Sequence, residues 1–467
     1  MPHLSLQEWL DYIQQLHPSE IDMGLERLRY VAQRLRLDQP APLNIVISGT
    51  NGKGSHVAAI DQLLRQLGYR VGTYTSPHLL RYNERICING APVDDERLIL
   101  AFEAIEAVRG DTSLSFFEFG TLAALQILTQ TPLDVAILEV GLGGRLDAVN
   151  LVDADIAVIT SIGLDHQDWL GDTREAIAIE KAGIFRPGIP VVCTESDPPA
   201  SLLQKIAELN CQLFLRDRDF AYNAQEAEQE VGQEAEQGTK TVGGGRRWQW
   251  RGKDSRGTPV TLKDLPPSTL ALANVAGALQ VTALVADKTC DGDWPERLAQ
   301  AAPQVLSQLT LAGRQQWART PLGQQLVLDV SHNTDAARAL ATTLNQWRAE
   351  HPEARVHLVL AMMQDKDHAG YYHALENAID FWYIAHFDLP RCMPAAKLHA
   401  ALLAEGAPSA RLASSPDVSE ALSEACQRAG EGDLIVVSGS FITVSEIMQH
   451  IVADNSANRP HQEASSP

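Results

Sequence analysis

Apolar positions along the chain change their period several times. Over 4–37, Leu25, Leu28, Val31, Ala32 and Leu35 recur at three- and four-residue spacing, which predicts helix, and Pro40 and Pro42 end it. At 44–48 the run NIVIS is unbroken and rich in β-branched residues, which predicts a buried strand. The Gly-rich stretch 49–55 follows. Val57, Ile60, Leu64 and Leu67 then share one helical face as far as Gly68. The unit recurs: strands at 69–75, 134–140, 155–162 and 189–193, with helices at 121–128 and 174–183. Further on, the pattern predicts strands at 248–251, 326–330, 356–361, 381–385 and 433–438, and helices at 269–286, 334–349 and 417–429. Continuous apolar strands alternating with helices predict an α/β fold with mostly parallel sheets.

The polar, turn-rich stretch 287–302 marks a boundary between a first domain, 1–295, and a smaller second domain, 296–453. Within the first, 223–245 is rich in Gln, Glu and Ala and closes on three glycines, so it reads as a flexible insertion. The polar tail 454–467 is expected to be disordered. No internal repeat is present.

Composition narrows the partners. The 467 residues carry 59 acidic against 38 basic side chains, a formal net charge of −21. Such a surface disfavours nucleic acid and anionic lipid, both of which need Lys and Arg. No apolar run is long enough to span a bilayer, and the N-terminal residues lack a basic segment followed by an apolar one, so no signal peptide is expected. Cys87, Cys193, Cys211, Cys290, Cys392 and Cys426 are scattered with no CxxC pair, which suits reduced thiols in the cytoplasm.

The stretch GTNGKGS, 49–55, lies between a buried strand and an amphipathic helix, where a phosphate cradle belongs. Glycines let backbone N–H groups approach phosphate oxygens, and the helix start adds positive potential. Thr50, Asn51, Gly52, Lys53, Gly54 and Ser55 are the candidate contacts, with Lys53 as the point charge for the outer phosphates. The general P-loop spaces its glycines more widely and places Ser or Thr directly after Lys. Here Gly54 intervenes.

With that glycine the loop resembles the Mur ligase superfamily, and specifically its folylpolyglutamate synthase and dihydrofolate synthase branch. TSPHL at 75–79, NERI at 83–86, LEVGLGGRLDAVN at 138–150 and GLDHQDWLG at 163–171 support the branch. The resemblance implies an N-terminal P-loop-type domain and a C-terminal Rossmann-like domain. It implies magnesium bound by Ser76, Glu139 and His166; Asp165 is the alternative oxygen donor beside the histidine. It also implies that Lys181, in IEKAGIF, is carbamylated and helps hold a second Mg²⁺. Each motif follows a strand candidate, so Lys53, Ser76, Glu139 and His166 are expected on one rim, outside the carboxyl ends of the strands.

For the acceptor, the resemblance points to Asp22, Met23 and Gly24, to Ser115, Phe116, Phe117 and Glu118, and to Leu146, Asp147 and Ala148. Aromatic faces suit a flat pterin ring, and a carboxylate suits its N–H groups. The Asp-x-Gly segment, with Met23 where the family has Leu, resembles the bacterial bifunctional type. Asn274, Arg314 and Asp329 match ATP contacts, and His332 and Asn333 lie on the glutamate side. Ile442 stands where the family often has histidine, and no role is assigned there. The implied activity is ATP-dependent addition of L-glutamate to dihydropteroate and to tetrahydrofolate through an acyl phosphate, with Lys53, His166 and Lys181 catalytic and Arg85, Arg145 and Arg314 available to steer anions. A monomer without nucleic-acid or membrane partners is expected. A cell-wall Mur ligase would share the loop but fits TSPHL and the Asp-x-Gly segment poorly. A non-catalytic nucleotide switch would keep the loop but not the complete metal set.

Overall fold

The structure, a computed structural model, describes residues 4–18, 22–224, 247–289 and 292–457. Strands whose residues are all buried dominate both sheets, which is why they pair in parallel with helices on their faces. The first sheet has eight strands: β1 (Leu43–Ser48), β2 (Val71–Tyr74), β3 (Ile86–Ile88), β4 (Ala91–Pro92), β5 (Val135–Glu139), β6 (Ile156–Ile159), β7 (Pro190–Cys193) and β8 (Gln212–Leu215). Their order is β4-β3-β2-β5-β1-β6-β7-β8. All pairings from β2 to β8 are parallel; β3 and β4 form an antiparallel margin. A small antiparallel sheet joins β9 (Ala221–Ala224), β10 (Trp248–Lys253) and β11 (Pro259–Leu265), with Trp248 and Trp250 fully buried.

The second sheet contains β12 (Gln316–Arg319), β13 (Gln325–Leu328), β14 (Val356–Leu360), β15 (Phe381–Ile384), β16 (Leu412–Ser414) and β17 (Leu434–Ser438). Its order is β12-β13-β17-β14-β15-β16, parallel except for β12 against β13. Its core gathers Val327, Leu340, Leu358, Trp382 and Val436.

Several expectations shift. The helical pattern over 4–37 is two helices, Leu6–Gln15 and Glu26–Leu35. Pro18 disfavours helical backbone at His17 and Gly24 weakens helix, so the amphipathic pattern is interrupted. The chain divides into Met1–Thr310 and Leu311–Pro467 rather than near 287–302. The polar stretch opens the helix Trp294–Leu306, which belongs to the first unit; there Gln66 Nε2 donates to Gln304 Oε1 at 3.0 Å. Of the suspected insertion, Asn223 and Ala224 complete β9, and 225–245 lies outside the described residues. The last helix, Phe441–Ala457, runs into the segment expected to be disordered; 458–467 lies outside the described residues. Five cysteines are free, and Cys290 is not described. No helix among the described residues is long and apolar enough to cross a membrane.

Candidate active site

The order β2-β5-β1-β6 sets four strand ends side by side. Ser76 follows β2, Glu139 ends β5, the loop 49–52 follows β1, and 160–166 follows β6. Parallel pairing therefore makes neighbours of motifs that are far apart in the chain. The backbone N–H of Ser76 donates to Glu139 Oε2 at 3.3 Å.

Residues after β6 hold the phosphate loop. Thr50 N–H donates to the Ser161 carbonyl at 2.8 Å, and Asn51 N–H donates to Ser161 Oγ at 2.9 Å. Thr160 Oγ1 donates to the Asn51 carbonyl at 2.6 Å. The loop fits so closely that a methyl group on Gly49 would lie 1.7 Å from Thr160 Oγ1. Gly52 has φ +86°, the left-handed region glycine favours, and a methyl there would lie 2.7 Å from Asn274 Oδ1. Asn274, from the helix Leu272–Thr289, thus stands against the loop. Lys53 opens the helix Lys53–Gln66 and its ammonium donates back to the Gly49 carbonyl at 3.1 Å. Thr160 and Ser161 were not singled out in the sequence; hydroxyl residues closing a buried strand are the signal that could have found them.

Charge gathers around this rim. Lys181 is buried, and burial first, then the positive charge of Lys53, pushes its ammonium down to about 7; Asp165 and Asp147 act in the opposite direction. Lys53, Lys181, Asp147 and Asp165 therefore share one electrostatic neighbourhood. Gly144 packs against the carbonyls of Glu180 and Lys181, so the loop 141–147 lies on the end of the helix Arg174–Lys181. Arg145 pairs with Glu180 at 2.9 Å. His166 has φ +51° at the start of the short helix Gln167–Leu170, and its N–H donates to Asp165 Oδ1 at 2.9 Å.

The donors suit magnesium on chemical grounds. Glu139 is a hard oxygen donor next to Ser76 at the rim, and the Asp165 carboxylate acts on the Lys181 ammonium. Among the described residues no three His, Cys, Asp or Glu side chains are grouped so that they could hold a metal ion. Magnesium matches such a sparse set, because it keeps waters and takes substrate phosphate oxygens.

The expected acceptor residues form a second group. Met23 Cε lies 3.8 Å from where a methyl on Gly143 would sit, and Gly24 borders open space. Phe117 packs on Gly141, and its ring lies 6.3 Å from that of Tyr74. Phe116 stands edge-on to Tyr82, and the Arg85 guanidinium lies over both rings. Arg85 Nε donates to His78 Nδ1 at 2.9 Å, so this arginine is built into the wall. Two carboxylates are less available than their residue types suggested. Glu118 accepts from Ser115 N–H at 2.7 Å, as a capping box, and from Arg27 at 3.0 Å. Asp147 accepts from Leu142 N–H and Val149 N–H, both at 2.9 Å; burial raises its carboxyl to about 6. Leu146 is half-buried beside it and Ala148 is buried.

In the second unit, Asp329 directly follows β13. Its oxygens accept from Gln315 N–H and Ser331 N–H, each at 2.9 Å. The Arg314 guanidinium lies 4.7 Å over the ring of Phe441, and the His332 ring lies 6.2 Å from that ring. Phe441 is therefore the shared support of two expected residues, and no periodicity singled it out. Asn333 Oδ1 accepts from Ala336 N–H at 3.0 Å, capping the helix Thr334–Glu350.

Comparison with known proteins agrees with this arrangement. The Mur ligase middle domain family matches residues 47–242, and the Mur ligase glutamate ligase domain family matches 313–441. The dihydrofolate synthase/folylpolyglutamate synthase of Haemophilus influenzae is 38% identical over 94% of this chain and 96% of its own. A solved structure of E. coli FolC in complex with DHPP and ADP superposes with a TM-score of 0.83 at 37% identity, covering 97% of this chain and 99% of that one. The Yersinia pestis bifunctional folylpolyglutamate synthase/dihydrofolate synthase complexed with AMPPNP and Mn ion gives 0.80 at 40% identity, covering 96% and 98%. The lysine-bearing phosphate loop, the acidic rim beside it and this full-length similarity place the chain in the dihydrofolate synthase/folylpolyglutamate synthase family of the Mur ligases.

Proposed function

We propose that the protein is an ATP-dependent amide-forming ligase that adds L-glutamate to 7,8-dihydropteroate, giving dihydrofolate, and to tetrahydrofolate, giving folylpolyglutamates. The observation that carries this reading is the glycine loop with Lys53, set beside Ser76 and Glu139 at the carboxyl edge of one parallel sheet. A carboxylate is a poor electrophile. Its oxygen attacks the γ-phosphorus of ATP, ADP leaves, and an acyl phosphate forms. The neutral amino group of glutamate then attacks the acyl carbon, phosphate departs, and one proton is released. Lys53 and the amides of 50–55 stabilise charge on the transferring oxygens. Magnesium, when bound by Ser76, Glu139 and His166, supplies neutralisation of phosphate charge.

Lys181 is the site for carbamylation: its neutral amine attacks CO₂ and loses a proton, leaving a carboxylate for a second magnesium. Burial of the amine supports this, because only the unprotonated form is a nucleophile. Asn274, Arg314 and Asp329 are the proposed ATP contacts, and His332 and Asn333 lie on the glutamate side. Asp22, Met23, Gly24, Phe116 and Phe117 face the pteroate. The net charge of −21 accords with a cytoplasmic monomer that binds neither nucleic acid nor membrane. Incubation with ATP, Mg²⁺, L-glutamate and either dihydropteroate or tetrahydrofolate, with products weighed by mass spectrometry, tests the reading. Absence of a glutamate-sized mass gain with both acceptors would overturn it.

A further inference from the structure

The first helix, Leu6–Gln15, is followed by His17. The next, Glu26–Leu35, is preceded by Asp22. Arg27 joins these segments to the start of the helix Phe116–Thr129. Its Nη1 donates to Asp22 Oδ2, and its Nη2 donates to Glu118 Oε1 at 3.0 Å. His17 Nε2 also lies 3.1 Å from Asp22 Oδ2, while its Nδ1 is 2.7 Å from Ser113 Oγ. Glu118 is buried, and its other oxygen is occupied by Ser115 N–H. Asp22 Oδ2 thus takes donors from two sides. Its Oδ1 accepts no hydrogen bond among the described residues.

One guanidinium between two carboxylates leaves the group one negative charge in excess when His17 is neutral. Arg27 is the largest cause of the lowered Asp22 pKa, so Asp22 stays an acceptor. Among the described residues that oxygen is an acceptor without a donor. A 2-amino-4-oxo pteridine presents the complement, an edge with an amino group and a ring N–H. We propose that Arg27 and His17 are positioning residues for the pteridine ring, locking Asp22 so that Oδ1 faces that N–H edge. This rests on the reading that the 22–24 segment contacts pteroate. It adds two residues for which neither glycine spacing nor the resemblance gave a role.

The test compares Arg27→Met, Asp22→Asn and their combination, with dihydropteroate and ATP varied separately. If the lock exists, Arg27→Met raises KM for dihydropteroate about tenfold or more, as losing a charge-assisted positioning contact should. In that case kcat and KM for ATP stay within about twofold. The double variant then costs less than the product of the single effects, because both remove the same contact. His17→Gln, which keeps an N–H near the Nε2 position, retains more of the affinity than His17→Ala. A raised KM in Asp22→Asn with an unchanged one in Arg27→Met would overturn the proposal and leave the pteroate reading standing. Unchanged KM in both would overturn the two together. Should Arg27→Met fold poorly because Glu118 is left as a buried unpaired charge, Arg27→Met with Glu118→Gln removes both charges, and its KM for dihydropteroate is compared with that of Glu118→Gln alone.

Discussion

The Lys53 ammonium donates to the carbonyl of Gly49, four residues earlier, at 3.1 Å, with the Thr50 carbonyl at 3.5 Å. The lysine is therefore held at the mouth of its own loop by backbone oxygens. A triphosphate offers stronger, charged acceptors, so the ammonium exchanges neutral partners for anionic ones when the nucleotide enters. Replacing it by methionine keeps the stem and removes the charge. Lys53→Met is expected to lower kcat by about 100-fold or more, with a melting temperature close to that of the parent. Steady-state turnover and circular dichroism check this; near-normal turnover in a folded variant would contradict the assigned role.

Gly49 and Thr160 make a second test. A methyl on Gly49 would overlap Thr160 Oγ1 and come within 3.1 Å of Ser161 N. Gly49→Ala should therefore displace the loop and abolish measurable AMPPNP binding in calorimetry. Thr160→Ala alone loses one hydrogen bond to the Asn51 carbonyl and should weaken binding only several-fold, on the order of 1 kcal/mol. Combining them removes the hydroxyl that the methyl strikes but leaves the Cβ of residue 160 at 2.9 Å and the backbone of Ser161 at 3.1 Å. Partial recovery is expected in the double variant. A double variant no better than Gly49→Ala would show that the clash with the Thr160 hydroxyl is not the cause.

These contacts mark where the sequence was legible. Lys53, Ser76 and Glu139 are expected on one rim because a parallel sheet collects strand ends, and strand ends follow apolar runs such as 44–48 and 134–140; Asn274, on a helix, is implied by the resemblance alone. Periodicity over 4–37 predicts helix because Leu25 to Leu35 keep the helical spacing, and the break at Pro18 and Gly24 does not disturb that spacing. Partners that depend on long-range approach were not legible. Arg27 meets Glu118 only after both helices are packed. Phe441 meets Arg314 only once β12 to β17 are assembled. Glu118 and Asp147 enter as acceptor-side residues through the resemblance, and residue type cannot reveal that nearby N–H groups occupy their carboxylates.

Lys181 gives a chemical prediction. Its ammonium is pushed down to about 7, chiefly by burial. At pH 8 the amine is mostly neutral and reacts with CO₂. At pH 6 it is mostly protonated and does not. Enzyme stripped of CO₂ should lose activity and regain it with bicarbonate, more completely at pH 8 than at pH 6. Isotopic ¹³CO₂ should give a carbamate signal in NMR that is missing from Lys181→Ala. Acetate, which supplies a loose carboxylate, should restore part of that variant's turnover. Full activity after exhaustive CO₂ removal would eliminate the modification.

His56 supplies a stability prediction with opposing partners. It lies under the phosphate loop, its Nδ1 2.9 Å from the Gly52 carbonyl, and its buried Nε2 has no hydrogen-bond partner among the described residues. Burial pushes its pKa from 6.5 down to about 4. Between those values the unfolded chain binds a proton that the folded one refuses, so stability from this residue is lost as pH falls from 6.5 toward 4. Asp147 runs the other way: its carboxyl rises from 3.8 to about 6, so the folded chain binds the extra proton and stability falls as pH rises across that interval. The two slopes nearly cancel from about pH 4 to about pH 6. His56→Gln removes one of them. The stability difference, wild type minus variant, should therefore grow with pH by about 1.4 kcal/mol per unit below 6.5 and flatten above it. Paired unfolding midpoints from pH 5 to 7.5 measure this difference. Curves that stay parallel through pH 6.5 would show that the imidazole is not held neutral beneath the loop.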